Sequence, residues 1–284
     1  MRSSSLALFG AVGLVLVTAS GCRIEAHTQT QFEDSSQPGK TATKDWAGEA
    51  ITISNDGINP LGGTGGVEVK ISATATKISA EAVFAAHADD DKKADADDSI
   101  RDALGTFVIE EGAGSFKIKC GHGGAHGTSN VAGSGCKILR VTLPAGSATQ
   151  ALDLTVGTGN GSIRVGLAEA GDVPTVKNLI VDNNGLGEVN VRTRVAKGAT
   201  VVITGERAVQ VALPADFSAE NVTLTVDESD AVKAAARKLT SDFPGMTGDG
   251  KPYPAAGATA DAAKSLNVQS KGPFDDDTVK IVKF

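Results

Sequence analysis

Large aromatic side chains are scarce in this chain of 284 residues, of which Phe, Trp and Tyr make up only 4%. Antiparallel β-sandwiches usually pack more aromatic side chains between their sheets, so a sandwich is the less favoured alternative. Glycine is abundant instead, with 34 residues. Stacked coils joined by short turns are built from glycine and from small or β-branched residues. The composition therefore favours an all-β, solenoid-like body.

An excess of positive charge is also missing, because 27 Lys and Arg residues face 34 Asp and Glu residues and leave a net charge of −7. Nucleic acid and a polybasic membrane contact are therefore excluded as expected partners, since both need clustered basic side chains. No apolar run reaches the roughly 20 residues that a transmembrane helix needs. The longest one, residues 6–17, is too short.

The first residues, MRSSSLALFGAVGLVLVTASGC, have a basic start, a short apolar core and small residues at the end. This order predicts a signal peptide over residues 1–21. The stretch Ala-Ser-Gly-Cys at 19–22 resembles the lipobox of bacterial lipoproteins. The resemblance implies that Cys22 carries acyl chains such as palmitate, which together give a lasting membrane anchor. The alternative is an ordinary signal peptide with a chance cysteine.

The mature chain would begin at Cys22 and carry 26 basic and 34 acidic residues, so its net charge would be 26 − 34 = −8. Arg23 follows the lipidated cysteine, and the resemblance to sorted lipoproteins implies that the protein is anchored in the outer membrane. Whether it faces the periplasm or the cell surface is left open. Residues 22–48 are polar and without apolar period, which predicts a flexible tether. Trp46 at its end is expected to dock on the folded part.

From residue 49 onward, apolar and polar residues alternate in short segments that Asn-Gly and Gly-Thr pairs separate, as in β-strands joined by turns. The segments are ITIS (51–54), VEVKISATA (67–75), FVIEE (107–111), FKIKC (116–120), LRVTLP (139–144), LDLTV (152–156), SIRVGL (162–167), LIVD (179–182), EVNVRT (188–193), TVVITG (200–205), VQVAL (209–213), VTLTV (222–226), LNVQS (266–270) and VKIVKF (279–284). They predict one domain over residues 49–284, with insertions at about 86–105, 120–136 and 227–262.

A weak internal repeat supports a solenoid. LTVGTGNGSIRV at 154–165 aligns with LIVDNNGLGEVNV at 179–191 after a shift of 25 to 26 residues, and ITISNDG at 51–57 is similar to LIVDNNG at 179–185. A strand, an Asn/Gly turn and a second strand that recur at this interval are typical of β-solenoid coils. Meandering hairpins also produce such a pattern, so they remain an alternative.

The first insertion includes ADDDKKADADDSIRDAL (88–104), with seven Asp residues. We expect an acidic loop that runs into a short helical turn. Asp95 and Asp97 alternate as in calcium loops, but the EF-hand pattern needs Gly at position six and Glu at position twelve, where this chain has Ile and Thr. A solvated acidic segment is therefore favoured, and weak calcium binding at 89–102 stays open.

The third insertion begins with DESDAVKAAARKLTSDF (227–243), in which apolar residues recur at helical spacing. This spacing predicts a short amphipathic helix. The stretch PGMTGDGKPYPAAGA (244–258) follows, and its Pro and Gly content predicts a long loop.

The second insertion is a loop that Cys120 and Cys136 enclose. In an oxidising compartment two remaining cysteines most often pair, which predicts a disulfide between the ends of two adjacent strands. The alternative is a metal site made of Cys120, His122, His126 and Cys136. Its spacing differs from the usual zinc patterns, and an oxidising compartment competes for the thiols. A catalytic redox pair would need C-x-x-C spacing, which is absent.

No catalytic residues and no cofactor are assigned, and we do not expect an enzyme. The chain has no Gly-x-Ser-x-Gly elbow, and GTGGVEV (63–69) lacks the Gly-Lys-Ser/Thr ending of a phosphate loop. Glycosidases need two carboxyl groups held on rigid elements about 5–10 Å apart. Here the acidic residues are concentrated in one insertion.

The order of these segments resembles a bacterial family of secreted putative adhesins, which fold as right-handed parallel β-helices. The matching elements include ITISNDG, VEVKISATA, the acidic insertion before DALGTFVIEE, GNGSIRV with EVNVRT, and LPADFSAENVTLTVDES, over about residues 49–284. Three features are additions to the family pattern: the length of the acidic insertion, the Cys-framed loop and the loop at 244–258. The resemblance implies a right-handed parallel β-helix.

Together these features predict a lipid-anchored cell-envelope protein that is a non-enzymatic, adhesin-like binding or structural module. Its expected partners are the membrane, through the lipid, and a polysaccharide or another envelope protein. The alternative function is a carbohydrate-active β-helix enzyme that acts on envelope or extracellular polysaccharide. Three or more Asp, Lys or Arg side chains that meet across successive strands would favour this alternative.

Overall fold

The computed structural model describes residues 29–32, 40–57, 65–89, 91–123, 131–147, 149–166, 173–226, 238–254, 256–257, 259, 261–272 and 277–284. The predicted signal peptide and the predicted lipidation site Cys22 lie outside these residues. In the described part of the chain, no helix is both long and apolar enough to cross a membrane.

The chain folds into two β-sheets, and the all-β prediction is confirmed. Sheet I contains ten strands: β1 (Gln29–Phe32), β2 (Lys40–Asp45), β4 (Gly66–Ser72), β5 (Lys77–Asp89), β8 (Val131–Pro144), β10 (Ile163–Val165), β12 (Val189–Arg192), β14 (Val209–Leu213), β16 (Lys238–Ser241) and β19 (Thr278–Lys283). Sheet II contains nine: β3 (Ala50–Asn55), β6 (Val108–Gly112), β7 (Ser115–Cys120), β9 (Leu152–Thr158), β11 (Thr175–Asn183), β13 (Arg194–Gly205), β15 (Ala219–Val226), β17 (Asp249–Tyr253) and β18 (Ser265–Ser270).

Strands of the two sheets are stacked in the same order. Sheet I runs β5-β8-β4-β10-β12-β14-β19-β16, with β1 and β2 both paired to β5, and sheet II runs β6-β7-β3-β9-β11-β13-β18-β15-β17. Seven strands of sheet II are each followed along the chain by a strand that holds the same place in sheet I, as β3 is followed by β4 and β9 by β10. Two of these seven pairs are out of chain order. The pair β7 and β8 lies nearer the end of the sheets than β3 and β4, and the pair β18 and β19 lies nearer the centre than β15 and β16.

Most pairings are parallel. Among the described residues, twelve of the seventeen strand pairings are parallel, and the five antiparallel ones involve β1, β2, β5, β6 and β17 near the ends of the sheets. Both sheets are therefore mixed, with parallel centres. The antiparallel β-sandwich that was the alternative does not fit these pairings.

The core is formed by alternate residues of both sheets. Strand β9, for example, buries every second side chain, and Leu152, Leu154 and Val156 are fully buried. The central strands supply only aliphatic side chains to this core. The buried phenylalanines lie instead towards the two ends: Phe84 on β5, Phe116 on β7, Phe217 before β15 and Phe243 after β16. Narrow aliphatic layers between the sheets thus account for the scarcity of aromatic residues.

Buried polar side chains stack at the corner where sheet II strands end. The register places Cys120, Asn55, Thr158, Asn183, Gly205 and Ser270 side by side on neighbouring strands. Asn183 donates from Nδ2 to the carbonyls of Gly161 (3.0 Å) and Gly187 (2.8 Å), and its Oδ1 accepts the Gly185 N–H at 2.9 Å. Asn55 bonds the chain in the same manner to Gly66 and Gly57. The repeat seen in the sequence is this turn.

The turns pack too closely for larger residues. A Cβ atom added to Gly161 would lie 2.3 Å from the backbone nitrogen of Gly66, and one added to Gly187 would lie 2.3 Å from the carbonyl carbon of Gly161. Real Cβ atoms essentially never approach so closely. Glycine is required here because the backbones of successive turns are in contact.

Four stretches differ from the sequence predictions. Strands β1 and β2 lie within the predicted tether and pair with β5. The acidic insertion contains a full helix, α1 (Lys93–Ala103), which buries Ile100 and Ala103. The predicted helix over 227–243 is wrong for residues 238–241, which form β16, and residues 227–237 lie outside the described ones. The loop predicted over 244–258 contains β17. Trp46 is partly buried against the core.

Candidate functional site

The cysteines at 120 and 136 form a disulfide bond with their Cα atoms 5.8 Å apart. Cys120 ends β7 in sheet II, whereas Cys136 lies inside β8 in sheet I. The bond therefore links the two sheets and does not join adjacent strands of one sheet. Backbone bonds from Cys136 to Gly121 and from Gly123 to Ser134 close the base of the loop beside it.

The alternative metal site has no support in the described residues. Both of its thiols are used in the disulfide, His122 is exposed, and His126 lies outside the described residues. Within the described ranges, no group of three His, Cys, Asp or Glu side chains could hold a metal ion. The stapled loop is therefore a structural link between the sheets.

The acidic insertion is ordered and partly neutralised. On α1, Lys93 contacts Asp97 at 2.7 Å and Arg101 contacts Asp98 at 2.6 Å. Such exposed pairs within a helix contribute only a few tenths of a kcal/mol each. They satisfy the carboxylates locally, which agrees with a solvated helix rather than a cation site.

His87 borders this insertion on β5 and is buried. Burial lowers the pKa of this histidine below its ordinary value of 6.5 because the charged form loses its hydration. Its Nε2 atom has no hydrogen-bond partner among the described residues. We therefore expect the neutral imidazole in the folded protein.

A row of polar side chains crosses the outer face of sheet I. On every strand but β16 it occupies the middle position of apolar-X-apolar triplets whose flanking residues are buried; on β16, Thr240 lies between Leu239, which is exposed, and Ser241. In register, the row is Glu81, Arg140, Glu68, Arg164, Asn190, Gln210, Lys280 and Thr240. Neighbouring strands are about 4.8 Å apart, so the row extends over about 34 Å.

One end of the row is a chain of ion pairs. Arg140 donates from Nε to Glu68 at 3.3 Å and from Nη1 to Glu81 at 3.4 Å. Arg164 Nη1 approaches the other oxygen of Glu68 at 3.7 Å. Three of these side chains are about half exposed, at 40% for Arg140, 48% for Glu81 and 53% for Arg164. A shallow depression beside them is also lined by Lys70 and Lys137.

The outer face of sheet I is rich in cations. Its central strands β4, β8, β10, β12, β14 and β19 carry five cations at outward positions, which we call the basic face: Lys70, Arg140, Arg164, Arg192 and Lys280. Glu68 is the one acidic side chain at the outward positions of these strands, which leaves 5 − 1 = +4 on a chain whose net charge is −7. Arg192 also lies over the ring of Phe284, 4.5 Å from its centroid.

The outer face of sheet II has a different chemistry. The same middle position is occupied there by Thr52, Thr155, Ile180, Val202, Asn267 and Thr223. Its central strands β3, β9, β11, β13 and β18 carry Lys177, Arg194 and Lys197 against Asp153 and Asp182, and Asp153 is paired with Lys177 at 3.8 Å. The two sheets thus differ in net charge: the outward positions of sheet I's central strands carry +4, and the central strands of sheet II carry 3 − 2 = +1.

The sequence predicted these strands, yet the basic face was missed. The triplets VEV, LRV, IRV, VNV, VQV and VKI all contain a central polar residue. Alternation shows that these residues point outward, but it does not show that their strands share one sheet. The signal present in the sequence is this polar residue between two aliphatic ones, but the strand order that brings the triplets into one row is set by the fold.

No protein-family model matches the sequence, and no curated protein does. The solved structures that are similar to this chain include two described as adhesion proteins. One is described as a putative cell adhesion protein from Clostridium sporogenes; it is 10% identical, with a TM-score of 0.44, and the match covers 87% of this chain and all of the other. The second is described as a putative adhesin from Bacteroides fragilis, with 10% identity, a TM-score of 0.23 and coverage of 86% and 96%. At this level of similarity nothing follows about what this chain binds.

Proposed function

We propose that this chain is a lipid-anchored protein of the bacterial outer membrane that binds other envelope components without catalysing a reaction. The anchor rests on the N-terminal signal and the lipobox-like stretch that ends at Cys22. The binding role rests on the long polar row across the outer face of sheet I. An elongated sheet face with polar side chains suits extended, repetitive partners such as polysaccharides.

We further propose that the body is a right-handed parallel β-helix, as in the adhesin family that the sequence resembles. The common strand order of the two sheets supports this, as does the alternation of the chain between them. The two out-of-order strand pairs, β7 with β8 and β18 with β19, would then be coils added beside their chain neighbours.

A carbohydrate-active enzyme is the second candidate, and one observation favours it. Glu81, Arg140 and Glu68 lie side by side on adjacent strands, as the active residues of such an enzyme would. However, both carboxylates contact the same arginine, and Glu81 is 48% exposed in a shallow depression. General acids of glycosidases are usually kept protonated by an apolar pocket, which is absent around these described residues. We therefore favour binding over catalysis.

The anchor is tested with a Cys22→Ser variant expressed in a bacterial host. The unchanged chain should be found in the membrane fraction and incorporate labelled palmitate, and the variant should do neither. A Cys120→Ser/Cys136→Ser variant is the control, because it removes other cysteines and should remain in the membrane fraction. A Cys22→Ser chain that still incorporates palmitate would contradict the lipid assignment.

The binding role is tested by immobilising the purified chain and applying solubilised envelope glycans. We expect retention above that of an unrelated acidic protein of similar size. A Glu68→Gln/Glu81→Gln variant should still retain the glycans, because the cations and amides of the row remain, and neither protein should release reducing sugar. Loss of a hydrolytic activity in this variant would favour the enzyme instead, and absence of any retention would refute the binding role.

A further inference from the structure

The basic face carries an excess of positive charge on an acidic protein. Five cations are present at its outward positions, and Lys70, Arg192 and Lys280 have no carboxylate partner in the described part of the chain. An anionic partner would be repelled by most of this chain, whose net charge is −7, and attracted to the basic face. The charge distribution thus points to an anionic partner on this side of the sheet.

The cations are two or three strand spacings apart across the sheet. Arg140 and Arg164 are in one register row on either side of β4, so two strand spacings, about 10 Å, separate them. Lys70 and Arg192 are in the next outward row, two residues further along their strands than Glu68 and Asn190, and β10 separates them by the same two spacings. Lys280 follows Arg164 after three spacings, about 14 Å.

Neutral hydrogen-bonding groups occupy the interval between these cations. Asn190 and Gln210 continue the row between Arg164 and Lys280, and both are partly exposed. Amide side chains both donate and accept hydrogen bonds, as hydroxyl groups of sugars require. The face therefore combines widely spaced cations with amides, in a line that runs across the strands.

The arginines of the basic face can exchange their ion pairs with Glu68 for ion pairs with a ligand. Arg140 and Arg164 contact Glu68 at 3.3 and 3.7 Å, and both arginines are 40% or more exposed. Exposed pairs of this kind are worth about 0–1 kcal/mol, so little is lost when a guanidinium turns to another carboxylate. Arginine also binds carboxylates with two parallel hydrogen bonds, which favours such an exchange.

We propose that the basic face binds an extended acidic polysaccharide whose carboxylates lie along the row from Arg140 to Lys280. This inference rests on the proposed binding function and names its ligand class. The spacing argues against nucleic acid, because a duplex carries one charge about every 1.7 Å along its axis, and cations about 10 Å apart neutralise few of them. Sugar rings separate the charges of an acidic polysaccharide more widely.

The test measures binding of the purified full chain to polygalacturonate, to its fully methyl-esterified form and to duplex DNA. The esterified polymer has the same backbone without the charge. We expect binding to polygalacturonate that weakens as salt is raised, and at least about tenfold weaker binding to the ester and to DNA. Equal binding to acid and ester, or DNA bound as tightly as polygalacturonate, would overturn the inference.

Variants locate the binding to one face. The triple variant Lys70→Gln/Arg164→Gln/Lys280→Gln should lose about tenfold in affinity, since three exposed charge contacts are removed. The matched control Lys117→Gln/Lys264→Gln/Lys271→Gln removes the same charge from exposed positions elsewhere and should bind within about twofold of the unchanged chain. Equal affinities of the two variants would overturn the inference, and thermal unfolding verifies that both are folded.

Failure of this inference can be told from failure of the proposed function. A chain that retains envelope glycans but ignores polygalacturonate would refute the acidic ligand and leave the binding role intact. A chain that retains neither would refute both. Because the acid, ester and DNA comparisons use the unchanged chain, the inference stays testable even if the triple variant does not fold.

Discussion

Replacement of Asn183 by Ala tests whether the buried corner holds the stack of strands together. The Asn183 side chain is fully buried and makes three hydrogen bonds, to the carbonyls of Gly161 and Gly187 and from the N–H of Gly185. Alanine would remove the hydrogen-bond partner of all three backbone groups at a fully buried position.

The expected loss follows from these contacts. A hydrogen bond contributes about 1 kcal/mol net, and an unsatisfied buried group costs about 1–3 kcal/mol. Three contacts therefore predict a loss of about 3–5 kcal/mol in the free energy of unfolding. For a domain of more than 150 residues, 1 kcal/mol corresponds to about 2–4 °C, so the Tm should fall by about 10 °C.

The neighbouring residue supplies the control. Asn184 is exposed, and its side chain donates to the Asp182 carboxylate at 3.0 Å. Asn184→Ala should change the free energy of unfolding by no more than about 0.5 kcal/mol. Both variants are compared by thermal and urea unfolding. Equal stabilities of Asn183→Ala and Asn184→Ala would refute the structural role of the corner.

Three further changes probe other parts of the fold. Removing the disulfide with Cys120→Ser/Cys136→Ser should lower the free energy of unfolding by about 3 kcal/mol, measured by urea unfolding, because the closed loop is about fifteen residues long. Reductant should lower the stability of the unchanged chain by a similar amount. An unchanged free energy of unfolding in the variant would contradict the prediction. Gly161→Ala should be more destabilising than an average surface change, by several kcal/mol, since its Cβ would meet backbone at 2.3 Å. The unfolded chain takes up a proton on His87 at higher pH than the folded chain, so Tm should fall as the pH drops from about 7 to about 5; a His87→Gln variant should flatten this dependence, whereas His122→Gln at an exposed position should not.

Much of the sheet structure could be predicted from the sequence because alternation reports which side chains are buried. All fourteen predicted segments overlap with strands, although VEVKISATA (67–75) extends past the end of β4 at Ser72, and the Asn/Gly turns correspond to the corner that Asn55 and Asn183 occupy. Such turns need a side chain that both donates and accepts within its own loop, which leaves a visible motif.

Other strands could not be found because their burial does not alternate. The second half of β5 is rich in alanine and buried on both faces, so it lacks the period of two. Strand β2 is short, polar and largely exposed, which resembles a tether in sequence. Strand β16 has a sequence that fits a helix, and pairing with β19 decides its conformation. Tertiary contacts outweigh local preference at such positions.

The order of strands also could not be predicted. Alternation assigns a face to each side chain but no neighbour to each strand, and two strand pairs lie out of chain order. The basic face depends on this order, because Glu68 on β4 and Arg140 on β8 are 72 residues apart in the chain. Function at such a surface follows from topology rather than from a motif.

Cross-linking gives the most direct test of the basic face as a binding surface. A carbodiimide joins polygalacturonate carboxylates to lysine amines that lie beside them in the complex, and peptide mass spectrometry then identifies the modified lysines. We expect modification at Lys70 and Lys280, suppressed by added salt, with little at Lys117 and Lys264. Modification of Lys117 and Lys264 as strong as that of Lys70 and Lys280 would show that the polymer does not bind along this face.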